Sequence, residues 1–195
     1  MLTDRSDSVA TVSSRQDLRT IALGEFAAVG YGATSLQRIG ELAGLSKSSV
    51  LYHYASKEAL LEAAIGPAID RMLAILGPLE KTGLAGEHRE KFLAQFVDFL
   101  LEYRLETHMF VNQGPSLVDV PVIERANALV LRLAGFFAAT SASLEEKMRF
   151  GIALGGAAYM LCTVHNLDLE MGTPDETRAA LLTIMGELLT PLAAR

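Results

Sequence analysis

The sequence predicts an all-α protein in two parts, an N-terminal three-helix unit holding a helix-turn-helix and a larger C-terminal helical region. Three observations carry this. Apolar residues recur at three- and four-residue intervals along the 195-residue chain, and no stretch alternates as a half-buried strand would. Helix-starting and helix-stopping residues crowd between positions 30 and 57. Within that interval Gly40, Gly44 and Val50 stand at the spacing a helix-turn-helix needs. Gly40 has no side chain to hold two helices apart. Gly44 can take the left-handed conformation that ends one helix, and Val50 points back into a small core.

The elements follow in order. Residues 1–14 are polar, serine-rich and aperiodic, and are expected to form a disordered arm. A first helix is expected from Arg15 to Val29, with Leu18, Ile21, Ala22, Phe26 and Val29 on one face; Gly30 and Gly32 stop it. Thr34, with Gln37 three residues on, reads as the capping box of a second helix over 35–43. Ser46 caps a third over 47–54, and Ser56 a fourth running to about Leu76, with Pro67 predicting a kink or break. Glu87 to Phe110 is apolar nearly all round and reads as a single buried helix. Gln113 to Pro121 is a connection, and 122–140, 144–166 and 174–192 supply three more helices. The domains expected are 15–62 for the helix-turn-helix and 63–195 for the remainder.

Composition narrows the class. Half the residues are apolar, and Cys162 is the only cysteine, so no intrachain disulfide can form. The N-terminal segment lacks the apolar core of a signal peptide. The longest apolar run, Gly151 to Val164, is shorter than the roughly 18 residues a membrane span requires. A soluble cytoplasmic protein with no membrane partner is expected. Net charge is −6, and the first 63 residues carry six Lys/Arg against seven Asp/Glu. That balance argues against a protein that coats any DNA, since such binders neutralise many phosphates. Arg15, Arg19, Lys47 and Lys57 nevertheless cluster at helix starts, where a locally positive face can form.

The third helix opens with Ser46, Lys47, Ser48 and Ser49, which can bond phosphate oxygens or base edges. Tyr52 and His53 follow one turn on, and Lys57 begins the next helix. Taken singly, each serine could be no more than a cap and each tyrosine part of the core; the cluster together points to a DNA-reading surface. The segment FAAVGYGATSLQRIGELAGLSKSSVLYHYASKEALL resembles the DNA-binding domain of the TetR (tetracycline-repressor-like) family. The matching features are Phe26, Gly30-Tyr31, Thr34, Ile39, Gly44-Leu45-Ser46, Tyr52-His53-Tyr54 and Ser56-Lys57-Glu58. The match covers about a quarter of the chain. The resemblance implies a homodimeric transcriptional regulator, a repressor released by a small molecule, acting on a palindromic double-stranded operator. It places Thr34, Lys47, Ser48, Ser49, Tyr52, His53 and Lys57 at DNA-contacting positions. One departure stands out: Leu51 occupies a position where the family often has a phosphate-bonding tyrosine.

In the C-terminal region Gly151, Gly155 and Ala158 belong to a helix dense in small residues. The last helix carries Leu181, Met185 and Leu188 on an apolar stripe. These two helices are expected to pair with their copies in a dimer. Phe96, Phe99, Tyr103, Phe110, Phe136, Met160 and His165 are expected to line a pocket for a largely apolar effector. Gln95, Asp98, Glu102 and Glu106 recur at helical spacing and read as a solvated face; turned inward, they would favour a cationic ligand. The competing class, an enzyme or a pure ligand-binding protein, lacks support. His165, Asp168 and Glu170 do not have zinc spacing, no phosphate loop or nucleophile elbow occurs, and Cys162 lies in an apolar run that disfavours a thiolate. No cofactor is expected.

Overall fold

Asp4 to Leu23 contains no glycine or proline, so nothing in the backbone stops a helix from propagating back from the apolar stripe Leu18–Ala22–Phe26. In the computed structural model, which describes residues 4–141, 143–163 and 172–189, helix α1 accordingly runs Asp4–Val29. The helix thus begins well before Arg15, inside the stretch expected to be disordered. Gly30, at φ 100°, ends it.

Every other regular element among the described residues is also helical. They are α2 (Leu36–Leu42), α3 (Lys47–His53), α4 (Lys57–Thr82), α5 (Glu87–Glu102), α6 (Arg104–Gln113), a 3-10 turn (Gly114–Ser116), α7 (Pro121–Thr140), α8 (Leu144–Thr163) and α9 (Pro174–Leu188). Side-chain caps set the starts of α3, α4 and α9. Ser46 Oγ accepts from the Ser49 amide and Ser56 Oγ from the Ala59 amide, both at 3.1 Å. Thr173 and Glu176 form a reciprocal capping box at the start of α9, with Pro174 in its first turn.

Three expectations are corrected. The cap of α2 is Ser35, which accepts from the Arg38 amide at 3.1 Å, and not Thr34. Helix α4 continues through Pro67 and Pro78 for 26 residues, because its apolar residues from Leu60 to Leu79 are buried and tertiary packing outweighs the lost backbone donors. The stretch Glu87–Phe110 is two helices, not one. At Tyr103 the backbone turns to φ −104°, ψ 42°, so that α5 packs on α4 and α9 while α6 swings onto α1 and α8.

Helix α4, about 39 Å long at 1.5 Å per residue, is the spine. Helices α1, α5 and α7 lie against it. A continuous core runs from Leu18, Phe26 and Ile39 through Leu60, Leu76 and Val97 to Met109, Ile123 and Met185. Each such side chain contributes about 1.5–3 kcal/mol on burial. The expected boundary at 62/63 falls inside α4, so one helix carries both parts. No helix of the described residues is long and apolar enough to cross a membrane.

Candidate nucleic-acid interface and effector cavity

The turn between α2 and α3 is set by close backbone approach. A Cβ at Gly40 would stand 2.8 Å from the Leu45 carbonyl oxygen and 3.2 Å from Val50, so only glycine fits. The Leu45 amide donates to the Gly40 carbonyl at 2.7 Å, and Gly44 takes φ 67°. Val50 and Ile39 are fully buried beneath. With its inner face fixed, α3 must present the remaining residues outward. Ser46, Lys47, Ser48 and Tyr52 are exposed, Tyr52 at 83%, while Ser49 and His53 are half-buried. The Tyr52 and His53 rings meet edge to face at 5.4 Å. Ser46 Oγ also bonds the Ser48 and Ser49 hydroxyls at 2.8 Å each, which holds the three serines as one cluster. Leu51 is also exposed, at 41%, with no buried role to explain it.

Two expected contacts are committed elsewhere. Thr34 is 3% exposed, and its hydroxyl donates to the Gly30 carbonyl at 2.8 Å, tying off the end of α1. Lys57 turns inward. Its Nζ donates to the carbonyls of Tyr31 and Thr34 at 2.9 and 3.0 Å and stands 4.3 Å from the centre of the Tyr31 ring. The loop after α1 leaves carbonyls unpaired, and a lysine reaching from the start of α4 satisfies them; spacing along the chain carries no sign of that fold-back. Burial, and after it the Glu58 carboxylate, push the Tyr31 phenol up to about 12.

The second site is a cavity of about 560 Å³ enclosed by α4, α5, α6, α7 and α8. Of the expected lining residues, Phe96, Phe99 and Phe110 face it. Tyr103 instead stacks on Phe99 at 5.3 Å, Phe136 packs edge to face on Phe137, and Met160 is 43% exposed on the outer side of α8. His165 lies outside the described residues. Sequence reasoning missed Ile65, Met72, Leu129 and Phe150 on the wall, and set Glu106 on a solvated face. The aliphatic and aromatic ones read as ordinary core, and nothing in a helical period separates core from cavity wall.

Glu106 corrects the expectation of a solvated acidic face. It lines the cavity, and burial raises its carboxyl above the usual range, against the pull of its own backbone amide and of Arg19. Asp98 does stay on the surface, bonded to Arg178 Nε at 2.6 Å. Beside the cavity, Gln113 at the end of α6 accepts from the Tyr31 amide at 2.7 Å and donates to the Phe26 carbonyl. The wall helix α6 is thereby fastened to the end of α1.

The expected dimer residues divide. Gly151, Gly155 and Ala158 line the cavity, and Met185 is 1% exposed within the core, where it cannot meet a second chain. Leu181 and Leu188 are half-buried against the core. Met148, Ile152 and Gly156 of α8 and Ile184 of α9 are exposed, while Tyr159, also exposed, stands at the cavity with Ala158. Cys162 is buried, its thiol pushed up to about 11 by burial, and its carbonyl is bonded by His108 Nδ1 at 2.8 Å. Among the described residues no group of three His, Cys, Asp or Glu side chains could hold a metal ion.

Residues 20–64 match the family described as bacterial regulatory proteins, tetR family. The chain is 39% identical over 130 residues to the HTH-type transcriptional regulator RutR of Escherichia coli K12. That match covers 66% of this chain, which spans 57% of the relative's length. The fold is similar to that of the ketosteroid transcriptional regulator KstR2 of Mycobacterium tuberculosis, with a TM-score of 0.73 at 14% identity over 90% of this chain and 92% of that one. It is also similar to SCO3833, a TetR-family member from Streptomyces coelicolor A3, with a TM-score of 0.69 at 23% identity over 91% of both chains. The segment matched is the one whose turn Gly40, Gly44 and Val50 build, and over residues 20–64 this chain carries the DNA-binding segment of the tetR family of bacterial regulatory proteins.

Proposed function

We propose that this protein is a sequence-specific DNA-binding transcriptional regulator that works as a homodimer, a repressor released when a largely apolar small molecule fills the cavity. The observation that carries the reading is α3. Its inner face is locked by Val50 and Gly40, and its outer face offers Lys47, Ser48 and Tyr52 with no competing internal role for the lysine or the tyrosine. In a major groove Lys47 would meet phosphate, and Ser48, Ser49, Tyr52 and His53 would share phosphate and base edges. The division into a reading head over 15–62 and an effector and dimerisation region over 63–195 belongs to the same proposal, as does a cytoplasmic location beside the DNA.

An acidic chain with one positively lined helix binds selectively only if two heads act together. Exposed apolar residues on α8 and α9 support pairing, since Met148 and Ile152 are each 58% exposed and Ile184 54%. Two recognition helices about a two-fold axis would read half-sites roughly one helical turn, about 34–36 Å, or a multiple of it apart. The direct test is selection of bound fragments from a random DNA pool at low salt. A palindrome is expected; no enrichment would overturn the assignment and return weight to a ligand-binding protein that does not act through DNA. Sedimentation at micromolar concentration tests the pairing, with Ile152→Glu expected to give monomers.

A further inference from the structure

The cavity wall is apolar almost throughout, and Glu106 places a carboxylate in it. A half-buried charge in such surroundings is costly unless a counter-charge comes close. The cation nearest in effect is Arg19 of α1, whose positive charge acts on Glu106 but whose Nε is buried without a hydrogen-bond partner among the described residues. The same guanidinium acts on Tyr54, the residue that closes the C-terminus of α3. Tyr54 is buried, and its hydroxyl donates to the Arg15 carbonyl at 2.9 Å. Arg19 lies on α1, which packs against α6, the helix that carries Glu106, and its Nε has no hydrogen-bond partner there.

We propose that Glu106 is the polar anchor of the effector, that the effector is an apolar amine, and that its ammonium group competes with Arg19 for the one carboxylate. The inference rests on the cavity being the effector site. An ammonium on an aromatic or aliphatic body gives Glu106 a short charge-assisted bond in a dry setting, where such a bond is strongest. The cavity's other charged group, Lys147, is exposed at the rim, so water and salt screen its attraction for an acid. An ammonium at Glu106 offsets the attraction between that carboxylate and Arg19.

The test uses the full chain and three probes of one shape: 4-phenylbutylamine, 4-phenylbutanol and 4-phenylbutyrate, with binding measured by calorimetry at neutral pH. The amine is expected to bind about tenfold or more tighter than the alcohol, and the acid most weakly. Glu106→Gln should remove the preference for the amine while moving the alcohol far less. Arg19→Met should tighten the amine several-fold, because its competitor is gone. An amine no tighter than the alcohol, an equal loss of both probes in Glu106→Gln, or an unchanged amine affinity in Arg19→Met each overturns the inference. Alcohol binding without an amine preference would leave the effector reading of the cavity standing. If no probe binds, that reading falls as well.

Discussion

The candidate reading head, built on α2 and α3, and the candidate effector cavity, walled by α4 to α8, solve opposite problems with different helices. In the head, two seven-residue helices are held by a few buried residues, and Ser46, Lys47, Ser48 and Tyr52 stand exposed to water. In the cavity, side chains from five helices, drawn from residues 65 to 159, converge around about 560 Å³ of space. A surface that reads an external partner needs only a rigid backbone and a free face. A site that encloses its partner needs many distant segments at once, so its residues serve stability and recognition together. The difference teaches where mutations should hurt: binding alone in the head, fold and binding at once in the cavity.

The largest expected effect comes from the cavity. Phe137 is buried, stacks on Phe150 at 4.5 Å and meets Phe92 at 5.5 Å. Phe137→Ala should cost about 3–5 kcal/mol, seen as a lower urea midpoint. A loss under about 1 kcal/mol would show that this wall is not structural and would break the comparison. Next is Gly40→Ala in the head, where the obstacle is the Leu45 carbonyl, which no rotamer can move aside. About 1–3 kcal/mol of overpacking is expected, with DNA affinity falling further because α3 is displaced.

Two lysines sharpen the distinction inside the head itself. Lys57→Met deprives two carbonyls of their partner and should lower stability by about 1–2 kcal/mol while leaving the salt dependence of DNA binding unchanged. Lys47→Ala should leave the melting temperature alone but reduce the slope of log affinity against log salt by about one unit per half-site. The reverse pattern would exchange their roles. The smallest effect concerns Asp98, whose carboxyl is held below its usual range chiefly by the hydrogen bond from Arg178. A lowered folded-state pKa contributes stability above the unfolded value and loses it as pH falls through the folded value. Both partners are near half exposed, so Asp98→Asn should cost under about 1 kcal/mol at neutral pH. That cost should fade below about pH 4, which paired thermal melts would register.

The helix-turn-helix was legible because its determinants are neighbours in the chain. Gly40, Gly44, Ser46 and Val50 act across ten residues, and a glycine that must admit a backbone or take a positive φ announces itself by spacing. The inward turn of Lys57 was not legible, since the carbonyls it meets are supplied by a loop more than twenty residues away. Thr34 misled for a related reason: Thr34 and Ser35 are both good caps, and the burial of the first against α1 decided for the second. The break at Tyr103 has no glycine or proline to mark it, because the need to pack α6 on α1 and α8 made it.

By itself, then, the sequence determined an all-α chain and the place and polarity of α3, the helix that follows the tight turn. Those follow from local backbone preference and from the 3.6-residue period, both of which act over a few residues. Only the tertiary structure decided which of many apolar residues face empty space and which face one another. Only it put Glu106 in the wall of the cavity, and only it turned Ile152 and not Met185 outward. A helical period gives the direction of a face. What that face meets depends on helices far away in the chain.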